Sequence, residues 1–302
     1  MAKISMKHKR VRWSHFYVRT AAVFLFFCHA VCGYSQHTDS AAFVNAAWTV
    51  TRIAKGVKLY RYSFAGIGLF DTTENISYIK TRRTLFCRPE FSIAADAQTL
   101  YKTSDFAQKN KALAAVNGNF FDIKNGGAVD FTKVDGTIIN VNRKGKSEKL
   151  DFHQKAAVVI DKGKLSIKKW DGLVNWEEWL TEPDVMLNGP LLLFNGEEEK
   201  LDSGSFNINR HPRTVVGVTK KGTVIMLVVD GRSPNSAGMN LFELTKVMRW
   251  LGCVSAINFD GGGSSALWVK DRGIINYPSD NKKWDHEGER KVANILYLKR
   301  RR

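Results

Sequence analysis

Two apolar runs in this chain end in the same way. Val224-Ile-Met-Leu-Val-Val229 leads into Asp230-Gly231-Arg232, and Ser255-Ala-Ile-Asn-Phe259 leads into Asp260-Gly261-Gly262-Gly263-Ser264-Ser265. Runs this short and this apolar read as buried strands. The carboxylate at each end marks where the strand leaves the core. Glycine after it carries no Cβ, so a ligand can come close to the backbone N–H groups. Loops held at the edge of a rigid sheet are where functional groups collect. A single Asp-Gly pair is an ordinary turn; two at the ends of buried strands, one followed by two further glycines, point to a site.

The remaining pattern is mostly strand. Residues 48–53, 57–64 and 76–82 alternate, with turns expected at Lys55-Gly56 and across Asp71 to Asn75. Further strands are expected at 91–95, 112–116, 185–187, 191–194, 214–219, 266–270 and 293–298, with turns at Asp135-Gly136, Lys144-Gly145, Lys162-Gly163 and Lys221-Gly222. Short helices are expected at 103–111 and 175–180. The best-marked helix is Asn240 to Leu251, where Leu241, Leu244, Val247, Met248 and Leu251 form one stripe. Asn240 with Glu243 forms a capping box at its start, and Gly252 stops it. Many strands with few helices predict an α+β domain on a mixed, mainly antiparallel sheet, with functional loops at strand ends. Residues 36–111 are expected to be a strand-rich part of the same domain as 112–302.

Six basic residues and no acid precede residue 20, and an apolar run, Ala21 to Cys32, follows. That run is shorter than the roughly 20 residues that span a bilayer. With Gly33 and Ser35 behind it, it reads as a signal peptide over residues 1–35, removed to leave Gln36 first and sending the protein to the periplasm or the exterior. The six basic residues belong to the leader; without them 40 basic side chains face 29 acidic ones, a net charge of +11. Such an excess favours anionic partners. Charge alone leaves phosphate-bearing sugars, anionic glycans and nucleic acid open, and no membrane span is expected after the leader. Cys87 and Cys253 remain, and their spacing does not decide whether they pair.

The Asp260 loop lacks the lysine of a phosphate-binding Walker loop. Nor is it a nucleophile elbow, because Ala266 follows Ser265 and the next residues read as strand. It suits a phosphate or sugar oxygen resting on backbone N–H groups, with Ser264 or Ser265 donating. Asn117-Gly118-Asn119-Phe120-Phe121-Asp122 also follows a buried strand. Arg213 and Arg232 are candidates for clamping a phosphate. Glu243 is a candidate site acid with a capping role as its alternative. No His and Cys cluster has zinc spacing. Asp122, Asp230 and Asp260 are oxygen donors that could share Ca²⁺ or Mg²⁺, and the sequence leaves that open.

In order, these loops resemble those of the phosphodiester glycosidase family. The matching residues are Asn117 to Asp122, Asn188-Gly189-Pro190 with Gly196, Arg213-Thr214, Asp230-Gly231-Arg232, the Gly238 to Gly252 helix with Glu243, Asp260 to Ser265, and Arg290 with Asn294. The likeness spans about residues 112–298. Asn119 stands where a second glycine is usual; asparagine tolerates a left-handed backbone. The resemblance implies removal of a sugar joined through its anomeric carbon to a phosphodiester. It also implies a phosphate-bearing glycan or a sugar-1-phosphodiester, rather than nucleic acid, as the partner. Asp260, Asp230 and Glu243 are then the catalytic candidates, with no choice between the two aspartates as nucleophile or base. Asn117, Asn119, Asp122, Asn188, Arg213, Arg232, Gly261, Gly262, Gly263, Ser264 and Ser265 are the substrate-binding candidates. The rival readings are a glycan-binding module without turnover and a metal-dependent phosphodiesterase that cuts P–O.

Overall fold

The computed structural model describes residues 38–82, 87–143 and 149–299. The expected signal peptide, the Lys144-Gly145 turn and Arg300 to Arg302 lie outside the described residues. An eight-stranded sheet forms the centre, in the spatial order Thr49–Ala54, Val57–Leu69, Thr72–Thr81, Val224–Val229, Arg213–Thr219, Cys253–Asn258, Leu191–Phe194 and Glu197–Glu198. One five-stranded sheet is built around Ala112–Asn117 and Asn294–Lys299, and another around Ala156–Asp161 and Asp184–Asn188. Every strand pairing among the described residues is antiparallel, so the sheet is not mixed.

The two apolar runs lie in the middle of the large sheet and are covered on both faces. On one side Met226, Val228 and Ile257 pack with Val116, Leu267 and Leu296 of one small sheet and Val158 and Met186 of the other. On the opposite side Ile225, Leu227 and Ala256 meet Leu244, Val247 and Met248 of the helix Leu241–Trp250. That helix opens as the sequence indicates. The Asn240 side chain accepts a hydrogen bond from the Glu243 N–H at 2.9 Å, and the Glu243 carboxylate accepts one from the Asn240 N–H at 3.0 Å. Gly252 closes it in the left-handed region at φ 81°.

Arg213–Thr219 lies between Val224–Val229 and Cys253–Asn258 and is antiparallel to both. The two apolar runs therefore point the same way, and Asp230 and Asp260 emerge at one end of the sheet. Ala112–Asn117 ends there too. Asn117 is fully buried; it accepts from the Thr214 hydroxyl at 2.7 Å and donates to the Asp260 carbonyl at 2.7 Å. One amide thus ties two sheets together beneath Asp260.

Three local expectations change. The turn before the third strand is tighter than expected: Phe70 and Asp71 take positive φ, and Thr72–Thr81 is already strand. The helix at Thr103 stops at Lys109. Asn119 is not left-handed, nor is Gly118; that glycine is needed for space, because a Cβ there would lie 1.8 Å from the Asn294 Oδ1.

Candidate functional site

Asp260 is half-buried at its strand end, and its carboxylate accepts the Gly261 N–H at 2.9 Å. Burial pushes its pKa up to about 6, against the pull of Ser264, the Gly261 N–H and the Arg290 charge, while Asp130 raises it further. The Ser264 hydroxyl is close enough to influence Asp260, yet it makes no hydrogen bond of ordinary geometry. Other buried polar atoms also make no hydrogen bond among the described residues: both side-chain polar atoms of Asn188, the Asn258 Oδ1, the Ser265 Oγ and the Asp130 Oδ2. Asn258 donates to the Gly189 carbonyl at 3.1 Å, which connects Asn188 to this set. Buried polar atoms normally find partners, so this concentration of orphans marks a place built for a polar ligand.

Each of the three glycines makes room for something specific. A Cβ on Gly261 would lie 2.8 Å from the Pro212 carbonyl and 3.7 Å from the Arg213 Cδ. On Gly262, which has φ 60°, it would meet the Arg232 guanidinium at 2.9 Å, and on Gly263 the Asp280 carboxylate at 2.5 Å and the Arg290 guanidinium at 2.7 Å. Three cationic side chains therefore converge on one loop. Arg290 is paired with Asp280. Neither Arg213 nor Arg232 forms an ion pair among the described residues. Burial, then the nearby charge of Arg232, pulls the Arg213 pKa down to about 10, and both arginines with burial hold His211 below its ordinary value. This cationic loop is suited to an anion.

A histidine–carboxylate pair stands across from the loop. The His153 Nδ1 is 2.7 Å from the Asp130 Oδ1, and Gln154 donates to the same oxygen at 3.2 Å. His153 sits in the short turn Phe152–Gln154, and Gly189 lets that turn come close, since a Cβ there would lie 2.6 Å from the Phe152 carbonyl. Burial works against protonating His153. The hydrogen bond and charge of Asp130, with Asp151 and Asp260 also near, outweigh it and raise its pKa. Phe120 and Phe152 flank the imidazole, with ring centroids 4.8 and 5.0 Å away, and Phe206 joins them. Phe120 is half-buried beside this histidine.

Several candidates have other work. Asp230 is fully buried, and both its oxygens are occupied: Asn75 donates to one at 2.7 Å, and Asn276 and the Tyr277 N–H donate to the other at 2.9 Å each. It joins the third strand and the 276–277 segment to the end of Val224–Val229. Glu243 is held by its helix cap and by Arg210, which donates through Nε to both carboxylate oxygens at 3.1 Å. Asp122 organises its own turn, accepting from the Lys124 and Asn125 N–H groups and pairing with Arg143. Asn119 is buried against Asn294 and Thr132. Arg213 is not a free clamp: it donates to the Met239, Phe206 and Asn209 carbonyls at 3.0, 2.6 and 3.0 Å and lies over the Phe206 ring. Asp122, Asp230 and Asp260 thus face different partners, and no group of three or more His, Cys, Asp or Glu among the described residues is arranged to hold a metal ion. Cys87 and Cys253 are both free thiols.

The occupied carboxylate of Asp230 gives a direct test. Asp230→Asn would set an NH₂ group against donors already pointing at it. The expected cost is about 2–4 kcal/mol of stability, the scale for breaking a buried polar network. Urea unfolding measures it; an unchanged midpoint would show that Asp230 is not a structural anchor.

Residues 110–299 match the profile of the phosphodiester glycosidases. The chain belongs to this family. It is 31% identical over 176 residues to the mouse N-acetylglucosamine-1-phosphodiester alpha-N-acetylglucosaminidase, a match covering 55% of this chain and 33% of the mouse protein. The bovine protein of the same name is 41% identical over 87 residues, 28% of this chain and 16% of that one. The chain therefore spans about a third or less of the length of these relatives. Among solved structures, the zebrafish catalytic domain of that name, auto-inhibited by its pro-peptide, superposes with a TM-score of 0.62 at 20% identity, covering 89% of this chain and 93% of that one. A hypothetical protein from Synechocystis reaches 0.60 at 14% identity, covering 84% and 64%. At these identities the structures establish the shared fold.

In this member of the phosphodiester glycosidase family, Asp130 and His153 are the residues that sequence reasoning passed over. They are 23 positions apart in unremarkable segments. The one available signal is the Asp151-Phe-His-Gln154 capping pattern, which fixes the turn that presents the imidazole.

Proposed function

We propose that this chain is an exported hydrolase that removes a sugar from a sugar-1-phosphodiester and leaves a phosphomonoester. The observation that carries the reading is Asp260, a carboxylate set among orphaned buried polar atoms beside a glycine loop crowded by guanidinium groups. The loops at this end of the sheet are then the active-site loops. Cleavage at an anomeric carbon passes through an oxocarbenium-like state, which a nearby carboxylate stabilises. Asp260 supplies that charge. The departing phosphomonoester needs cations and N–H donors more than a strong acid. Arg232 and Arg290 supply the cations, with the Arg213 charge behind them, and the loop supplies N–H groups. His153, oriented by Asp130, moves the proton of the attacking water. Sugar hydroxyls would satisfy Asn188, Asn258 and Ser264. The basic leader with its short apolar core supports export.

Incubating the mature protein with a sugar-1-phosphodiester, with and without chelator, tests the reading by ³¹P and ¹H NMR. The expected products are free sugar and phosphomonoester in both conditions. Sugar 1-phosphate with a released alcohol would identify a phosphodiesterase, and saturable binding without products a binding module. Arg232→Ala is expected to weaken transition-state binding by about 1.5 kcal/mol, roughly tenfold in kcat/KM, the lower end for a hydrogen bond to a charged group. Arg232→Lys should recover little of it, because a point charge lacks the fork. Unchanged kinetics in the alanine variant would remove Arg232 from the site.

A further inference from the structure

The other end of the large sheet carries a feature that the proposed reaction does not use. Arg52 pairs in register with Lys58, and Lys58 with Lys80, so three cations stand side by side across three adjacent strands. Like charges placed directly opposite one another destabilise a sheet. No described carboxylate forms an ion pair with any of the three. The row opens into a groove of about 970 Å³, lined by Arg52, Lys55, Lys58, Lys80, Arg82 and Lys221, with Tyr60 on its wall and no acidic side chain. Lys80 pairs with Ile225, at the start of the strand that ends at Asp230. The five residue steps from Ile225 to Asp230 are about 17 Å of extended chain at the usual rise. A ligand small enough to sit at Asp260 does not reach this groove; a polymer does.

We propose that this groove binds a second, distant stretch of a phosphate-bearing glycan chain, holding the protein on a polyanion while the Asp260 end acts on another unit. The identity of the occupant rests on the proposed function; the charge of the groove does not. Four lysines and two arginines, none in an ion pair among the described residues, complement a row of phosphates. A concave surface fits a chain better than a flat bilayer. One tyrosine is fewer than the successive aromatic platforms on which single-stranded nucleic acid stacks.

The test is fluorescence anisotropy with a labelled ten-unit hexosyl phosphate chain joined by uncleavable C-glycosidic linkages. The triple variant Arg52→Gln/Lys58→Gln/Lys80→Gln is expected to bind it at least tenfold more weakly than the unmodified protein, with a shallower dependence on salt. Lys58→Arg/Lys80→Arg, which keeps the charge, should bind as before. The triple variant should also melt no lower than the unmodified protein, since like-charge opposition has been removed. Its kcat/KM on a methyl sugar-1-phosphodiester should not change. Unchanged affinity in the triple variant would overturn the proposal. So would tighter binding of the unmodified protein to a ten-nucleotide DNA strand or to phosphatidylglycerol vesicles. Failure of the proposed function appears separately, as absent turnover with polymer binding intact.

Discussion

Asp260→Asn is expected to lower kcat by at least about a hundredfold, the scale of a positioned catalytic group. Folding should not suffer. Asparagine keeps the size of the side chain and can still accept the Gly261 N–H that Asp260 accepts at 2.9 Å. Its pKa, about 6 in the folded protein, lies above the ordinary value of 3.8. A group shifted upward favours the folded state fully below its unfolded pKa, and that contribution is lost as pH rises through the folded one. At pH 7.5 the ionised Asp260 therefore weakens the fold, and asparagine should raise the melting temperature slightly. Below about pH 4 the two proteins should melt together. Activity runs the other way: the working carboxylate requires ionisation, so kcat/KM of the unmodified protein should fall as pH drops through about 6. A variant that loses both activity and stability would make Asp260 a structural residue.

Replacing His153 with Gln is expected to cost about a hundredfold in kcat, within the usual range for a general acid or base. Glutamine can still donate to Asp130 and sit between Phe120 and Phe152, but it cannot carry a proton to or from water. Asp130→Asn should act more weakly and by another route. It leaves a neutral acceptor in place of the charged one, removing the charge that favours the protonated imidazole, so the His153 pKa should drop, and the pH dependence of kcat should move with it. ¹H–¹⁵N spectra of the imidazole report the shift directly. If Asp130→Asn left the His153 titration where it was, the pair would not be coupled as its geometry indicates.

Asp230 and Asp260 show how far the sequence could be read. Both follow an apolar strand and precede glycine, and local sequence treats them alike. Their fates are decided by partners far along the chain. Asn75 and Asn276 close on Asp230 from 155 and 46 positions away. Asp260 meets the loop that immediately follows it and the distant Asp130. What local chemistry dictates was legible: the buried runs, the Asn240–Glu243 cap, the glycine loop and the ends of most strands. Which carboxylate stays open depends on which loops fold over it, and no short-range pattern records that. Arg213 teaches the same lesson, since three backbone carbonyls from 206, 209 and 239 take up much of its guanidinium. Glu243 was legible as a cap, while its pairing with Arg210, half-buried beside it, has no local signal.

The position of bond cleavage tests the central claim most directly. A sugar-1-phosphodiester is hydrolysed in H₂¹⁸O by the mature protein, and the products are examined by mass spectrometry and by the ³¹P isotope shift. Attack at the anomeric carbon puts ¹⁸O into the released sugar and leaves the phosphomonoester unlabelled, and this is the predicted result. Label in the phosphate, with unlabelled sugar, would mean that water attacks phosphorus and would contradict the account.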